Sequence, residues 1–226
     1  MTRSHWLPLL LVLALACAQP PSLEQLQQAT PEGMVLVPAG EFLTGSNDAD
    51  ADSEVGALRP VRVASFYIDL TEVTNAQVKA VKPEHRFAAG EDDHPATGFT
   101  RPQAAELLAL MGKRLPTALE WEKAARGTDG RTYPWGNRYD QKLANVGRAE
   151  HRPNVCSLTS RLAAVGSFPG GASPYGCLDM VGNAWEWVAD DYPGRPVRHL
   201  IRGGAYGYPA RDNRVYAFAI EQVGVT

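Results

Sequence analysis

The stretch 178–191, LDMVGNAWEWVADD, sets Trp185 and Trp187 on either side of Glu186, with a Gly182–Asn183 turn just ahead of them. Three readings fit that cluster: a loop that wraps a calcium ion, a surface on which a sugar stacks, or aromatic core packing. The surroundings narrow the choice. From Gly127 onward the chain is rich in glycine, proline, asparagine and aromatics, and no regular periodicity is visible. Aromatics need a core to sit in, so these are long ordered loops rather than disorder. Backbone groups in such loops need partners outside a ladder, and a bound cation is one such partner.

The chain has 226 residues, one domain of ordinary size, with 22 basic and 25 acidic side chains and a formal charge of −3. A chain this long buries a core without staples. No basic block is present, so nucleic acid has no electrostatic footprint here. Twenty-one glycines and seventeen prolines favour turns and short elements.

Residues 1–16 read as a signal peptide. Arg3 precedes an apolar run from Leu7 to Ala16, too short to span a bilayer of ~30 Å. The stretch LALAC resembles a lipobox ending at Cys17, so lipidation of Cys17 and membrane attachment are expected, with a tether over 17–32. The alternative is a secreted protein that simply loses the segment. Export leaves Cys156 and Cys177 as candidates for one disulfide, and two buried free thiols are the alternative.

Further along, 33–46 reads as two short strands with a turn at Pro38 to Gly40, and VRVASFYID (61–69) as one strand. The acidic segment 47–60 reads as a solvated loop; it lacks the glycine and final glutamate of an EF-hand. Three helix starts share one device. Thr74, Thr100 and Thr117 are each followed three residues later by Gln or Glu, which is a capping box. Gly112 and Gly127 end the second and third of these helices. The middle helix, RPQAAELLALM, is apolar along one side and is expected to pack into the core.

Six blocks then stand in order: MVLVPAGEFLTGS (34–46), FYIDLTEVTNAQ (66–77), GKRLPTALEWEKAARG (112–127), YPWGN (133–137), YGCLDMVGNAWEW (175–187) and IRGGAY (201–206). Together they resemble the formylglycine-generating enzyme family, also called the sulfatase-modifying factor domain. The resemblance implies an α+β fold like that of a C-type lectin over 33–226. It implies little regular structure: two to three helices, small twisted antiparallel sheets and long ordered loops.

The resemblance also implies roles. The family's oxidases hold copper with a pair of cysteines, next to a serine, shortly after Arg-Gly-Gly. Here that block is Arg202-Gly203-Gly204, and the three positions hold Ala205, Tyr208 and Asn213; no cysteine follows Cys177. A phenol and an amide cannot replace soft thiolates, so no copper and no formylglycine formation are expected. One family calcium site maps onto Asp179 and Glu186 side chains and the carbonyls of Gly182 and Ala184, a donor set that suits calcium. Without metal, Glu186 would instead pair with Arg202. A second site keeps Asn145 and the carbonyl of Val146, but its other half falls near Ser157 and Thr159, where the carboxylate is missing.

The expectation is therefore a non-catalytic, exported, lipid-anchored module of a bacterial outer membrane or periplasm, binding an envelope protein or peptide. Its recognition surface would be Tyr206, Tyr208, Arg211, Asn213, Arg214 and Tyr216, because Tyr, Arg and Asn suit recognition. Two rivals stand beside it. One is a periplasmic enzyme of another reaction class using His199 or Glu221 near Tyr208. The other is an incomplete copy, since the family's closing Gly-Phe-Arg strand is not found after Arg202.

Overall fold

The computed structural model describes residues 21–146, 161–192 and 195–222. Its first half is a bent ribbon. Strand β1 (Met34–Val37) pairs antiparallel with β4 (Phe66–Asp69), and β2 (Gly40–Thr44) pairs antiparallel with β3 (Arg59–Val63). Val37 faces Phe66 and Gly40 faces Val63, so both ladders keep one register across a break at Pro38–Ala39 and Ala64–Ser65. The segment 61–69, read as one strand, is thus split in two. Proline lacks the N–H that would continue the ladder. The carbonyls freed at the bend are taken by the Lys123 ammonium, which donates to Pro38 O at 2.6 Å and Gly40 O at 3.1 Å.

Four helices follow the capping signals. Helix α1 (Leu23–Gln28) lies in the segment expected as tether and is capped by Ser22 with Gln25. Helices α2 (Asn75–Val81) and α4 (Ala118–Arg126) start at the boxes of Thr74 and Thr117. At the start of α3 (Arg101–Leu110), the Thr100 N–H donates to Gln103 Oε1 at 2.9 Å. Gly112 and Gly127 follow α3 and α4 with φ of 71° and 73°.

Helix α4 is the central beam. Trp121, Ala124 and Ala125 are fully buried, and so, nearly, are Glu122, Lys123 and Arg126. Glu122 and Arg126 pair at 2.7 Å one turn apart. Arg126 also donates to the carbonyls of Leu43, Gly45, Gly130 and Arg131. A buried charge is tolerable only with such partners. Helix α3 departs from expectation: only Leu107 is buried on it and Leu110 is 61% exposed. Its apolar side roofs a cleft instead of filling the core.

The second half carries a three-stranded antiparallel sheet in the order β5 (Glu186–Tyr192), β6 (Arg195–Arg202), β7 (Phe218–Gln222). The segment after Arg-Gly-Gly therefore does supply a strand against β6, in register from Arg202↔Phe218 to Arg198↔Gln222. Long ordered loops fill the rest, as expected. The acidic loop 47–60 is more tied down than its composition suggests. Asp50 accepts two bonds from Arg214, both 2.8 Å, and Asp48 accepts from the Tyr216 hydroxyl.

Candidate functional site

The loop 179–184 makes an unusual backbone path. Asp179 and Asn183 both have φ of 55° and Gly182 has 84°. A Cβ on Gly182 would run into the Asn145 carbonyl. Glycine is required there by close approach and by conformation at once. The loop is held from both sides. The Gly182 N–H donates to Gly203 O and the Asn183 N–H to Asn145 O, both at 2.8 Å. The Asn183 side-chain oxygen accepts from Asn145 Nδ2 and the Ala163 N–H, both at 2.9 Å.

Two expected acidic groups converge on this loop. Asp179 is buried and accepts from the Gly166 N–H at 2.6 Å. Glu186 accepts from Trp121 Nε1 at 2.9 Å. Arg202 stands opposite Glu186 in the ladder but turns to Glu122 at 3.5 Å and to Tyr216 O at 3.0 Å. The Glu186–Arg202 pair considered from the sequence is therefore not made.

A third carboxylate was missed by sequence reading. Both oxygens of Glu72 are shielded from solvent and make no well-formed hydrogen bond, with the Asn183 amide the nearest donor. Burial pushes its pKa up to about 9, and Glu186 and Asp179 add repulsion. Burial and Asp179 push Glu186 up to about 7, and burial raises Asp179. An orphaned buried carboxylate facing two others is costly unless something positive sits among them. Among the described residues, no group of three His, Cys, Asp or Glu side chains forms a metal centre by itself. A cation here would take the loop's backbone carbonyls as well. Oxygen-only ligands of mixed charge suit a hard divalent ion. The signal for Glu72 was an acidic residue inside the apolar block FYIDLTEV.

Asn145, expected in a second calcium site, donates from its amide to Asn183 Oδ1 of the first loop and to Arg161 O, both at 2.9 Å. Val146 is buried beside Gly182. Ser157 and Thr159 lie outside the described residues, as do Cys17 and Cys156. Cys177, the other half of the expected disulfide, is a buried free cysteine. Burial pushes its thiol up to about 12.

The expected recognition surface divides. Tyr208 is 46% exposed and packs edge-on against Trp185, with ring centroids 5.4 Å apart. Arg211 is exposed and Tyr206 half-buried. Asn213 is not on the surface: it is fully buried, and its amide donates to the carbonyls of Tyr208 and Pro209, both at 2.9 Å. Arg214 is engaged by Asp50 and by the Tyr216 hydroxyl, and Tyr216 is buried. The backbone turn at Ala210–Asn213 thus brings Tyr208 and Asn213 together through an amide–carbonyl bond.

His199 binds Asp191 at 2.8 Å, lies edge-on to Trp187 and faces Glu221 in the ladder. Tyr208 sits with Trp185 instead, and neither His199 nor Tyr208 lines the cleft beneath α3.

The sulfatase-modifying factor enzyme 1-like domain matches residues 19–226. The chain is 30% identical to the mouse protein called inactive C-alpha-formylglycine-generating enzyme 2, over 88% of this chain and 81% of that one. It is 29% identical to the formylglycine-generating enzyme of Thermomonospora curvata, over 72% and 73% of the two chains. The solved structure of PvdO from Pseudomonas aeruginosa superposes with a TM-score of 0.68 at 22% identity, over 84% of this chain and 88% of that one. That last likeness speaks for the fold alone.

Proposed function

The chain belongs to the sulfatase-modifying factor enzyme 1-like domain family, and from that membership we propose that it is a non-catalytic binding module, exported and anchored by lipid at Cys17 in a bacterial envelope. The family includes a member named as inactive. One observation carries the reading: the two positions matched to the family's copper-binding cysteines are Tyr208 and Asn213, tied to each other by a hydrogen bond from the Asn213 amide. An amide that already donates to two carbonyls and a phenol are no ligands for a soft redox metal. The surface left at that place offers Tyr208, Tyr206 and Arg211, residue types that anchor protein contacts.

In this reading a calcium ion holds the 179–186 loop, through Asp179, Glu186, the carbonyls of Gly182 and Ala184, and Glu72. The support is the buried Glu72 carboxylate, which has no cationic partner and is repelled by Glu186 and Asp179. The ion's part is structural: it fixes the loop from which Trp185 supports Tyr208.

The test is site-specific photo-crosslinking in the native host, with the photoreactive group placed at Arg211. One envelope protein or peptide should be captured, and capture should fall at least tenfold with Tyr208→Ala. Undiminished capture in Tyr208→Ala, or none at all, contradicts the binding surface. Mass spectrometry of the mature N-terminus tests the anchor: an unmodified Cys17 or a start beyond it contradicts lipidation.

A further inference from the structure

Besides the cleft beneath α3, a polar cavity of about 640 Å³ opens between loop 46–50 and the segment 129–139. Both of its walls are tied down. On one side the Ser46 N–H donates to Gly56 O at 2.9 Å, the Asp48 N–H to Ser46 Oγ at 3.0 Å and the Leu58 N–H to Asn47 Oδ1 at 3.1 Å. On the other, Tyr133 and Gly136 exchange backbone bonds at 2.8 and 3.0 Å, and the Thr132 N–H donates to Asn137 Oδ1 at 3.0 Å. Arg214 spans the two: it holds Asp50 with two bonds of 2.8 Å and lies beside Tyr133. Walls fixed before binding leave little ordering cost for a ligand to meet. The volume is that of a small-molecule site.

The lining says what kind of molecule fits. Asn47, Asp48, Asp50, Asp129 and Asn137 line the cavity and are exposed. The ions are mostly matched. Arg214 holds the Asp50 carboxyl, and Arg131 the Asp129 carboxyl, below the usual carboxylate range, so both acids are ionised and paired. Asp48 accepts from the Tyr216 hydroxyl through one oxygen, and its other oxygen has no partner among the described residues. Asn47 and Asn137 use their oxygens within the walls, which leaves the NH₂ of each without an acceptor among the described residues. The Thr132 hydroxyl is in the same position. The open valences are therefore donors and acceptors together, set around one space. An ammonium brings only donors, and a carboxylate or phosphate only acceptors; a hydroxyl brings both. Among the described residues, no group of three His, Cys, Asp or Glu side chains forms a metal centre here. The half-buried Tyr139 ring and Leu58 add an apolar strip to an otherwise polar wall.

We infer that the cavity between loop 46–50 and the segment 129–139 binds a neutral saccharide. Its hydroxyls bond Asp48, Thr132 and the amides of Asn47 and Asn137, and the C–H face of one sugar ring lies on Tyr139. The cavity shares no lining residue with the surface of Tyr206, Tyr208 and Arg211. Its occupancy does not depend on whether that surface binds a partner.

The test uses the purified chain and neutral disaccharide probes: maltose, cellobiose, lactose, mannobiose and chitobiose. Glucosamine is the cationic comparison, glucuronate the anionic one and N-acetyl-alanyl-alanine amide the peptide one. Binding is read by calorimetry and by tryptophan fluorescence, since Trp135 stacks on Tyr133 with centroids 5.3 Å apart. At least one disaccharide should bind saturably, one per chain, with an affinity that changes less than twofold between low and high sodium chloride. The charged and peptide probes should bind at least tenfold more weakly. Ala49→Trp, which fills the cavity from an exposed position on its rim, should weaken disaccharide binding at least tenfold while the thermal transition persists; Ala49→Phe is the second variant should the first not fold. No saturable binding of any disaccharide, or unchanged binding in a folded, filled variant, overturns the site. A charged or peptide probe that binds as tightly as the best disaccharide, or affinity lost in salt, overturns the ligand class.

Discussion

Glu122→Gln is the sharpest probe of how this fold is held. Glu122 is almost wholly buried, and its two oxygens accept from four groups. Oε1 takes Arg126 at 2.7 Å and the Gly45 N–H at 3.1 Å; Oε2 takes Thr44 Oγ1 at 3.0 Å and Arg202 at 3.5 Å. Glutamine keeps the shape, loses the charge and turns an NH₂ toward one of these donor pairs. Two arginines then remain in the interior without their counter-ion, although burial already pulls the pKa of each below its usual value. Breaking one partner of a buried pair costs about 3–5 kcal/mol. For a chain of this size each kcal/mol is worth ~2–4 °C, so Tm should fall by roughly 6–20 °C. Circular dichroism melts of both proteins read this directly. Asp129→Asn, in the more exposed pair with Arg131, is the control and should cost at most ~1 kcal/mol. A loss for Glu122→Gln no larger than the control's would refute the view that this network organises the core.

Other outcomes follow from the same geometry. Lys123→Met keeps the side-chain stem but leaves the Pro38 and Gly40 carbonyls without a donor, and should lower stability by ~2–4 kcal/mol in urea titrations. Gly182→Ala forces a Cβ into the Asn145 carbonyl at a positive φ, and should remove any stabilisation by millimolar calcium seen in the parent's melts. Cys177 should resist iodoacetamide in the folded protein at pH 8 and react fully in urea, because burial holds its thiol protonated. The Tyr216 hydroxyl, pushed up to about 12 by burial and by Asp48, is protonated in the folded chain where an unfolded tyrosine would ionise near ~10. The folded state thus binds the extra proton, so this group's contribution to stability is intact below pH ~10 and is lost as pH rises toward 12. Burial raises Tyr139 and Tyr175 as well, so absorbance near 295 nm should show several tyrosines titrating late, and Tyr216→Phe should remove one of them.

Much of this was legible from local signals. The three threonines of the capping boxes and the glycines after α3 and α4 report their own backbone chemistry. The glycine–asparagine loop before Trp185 did the same. What was not legible depends on partners distant in sequence. Nothing near Glu122, Lys123 or Arg126 announces that all three are interior, because the carbonyls that satisfy them belong to the bend at 38–45 and the turn at 130–131. Loop 47–60 looked solvated because Arg214 and Tyr216, which hold it, lie far downstream. Helix α3 looked like core because periodicity reports an apolar face, not what meets it. Asn213 looked like surface because its burial comes from the turn at 210–213, which no periodic pattern marks.

The most direct measurement is an anaerobic titration of the purified chain with monovalent copper, followed by aerobic incubation with a cysteine-containing sulfatase-type peptide. With Tyr208 and Asn213 at the offsets from Arg202-Gly203-Gly204 where the family resemblance implies a cysteine pair, no stoichiometric copper binding and no aldehyde are predicted. One tightly held copper per chain together with conversion of the peptide cysteine to an aldehyde would contradict the account.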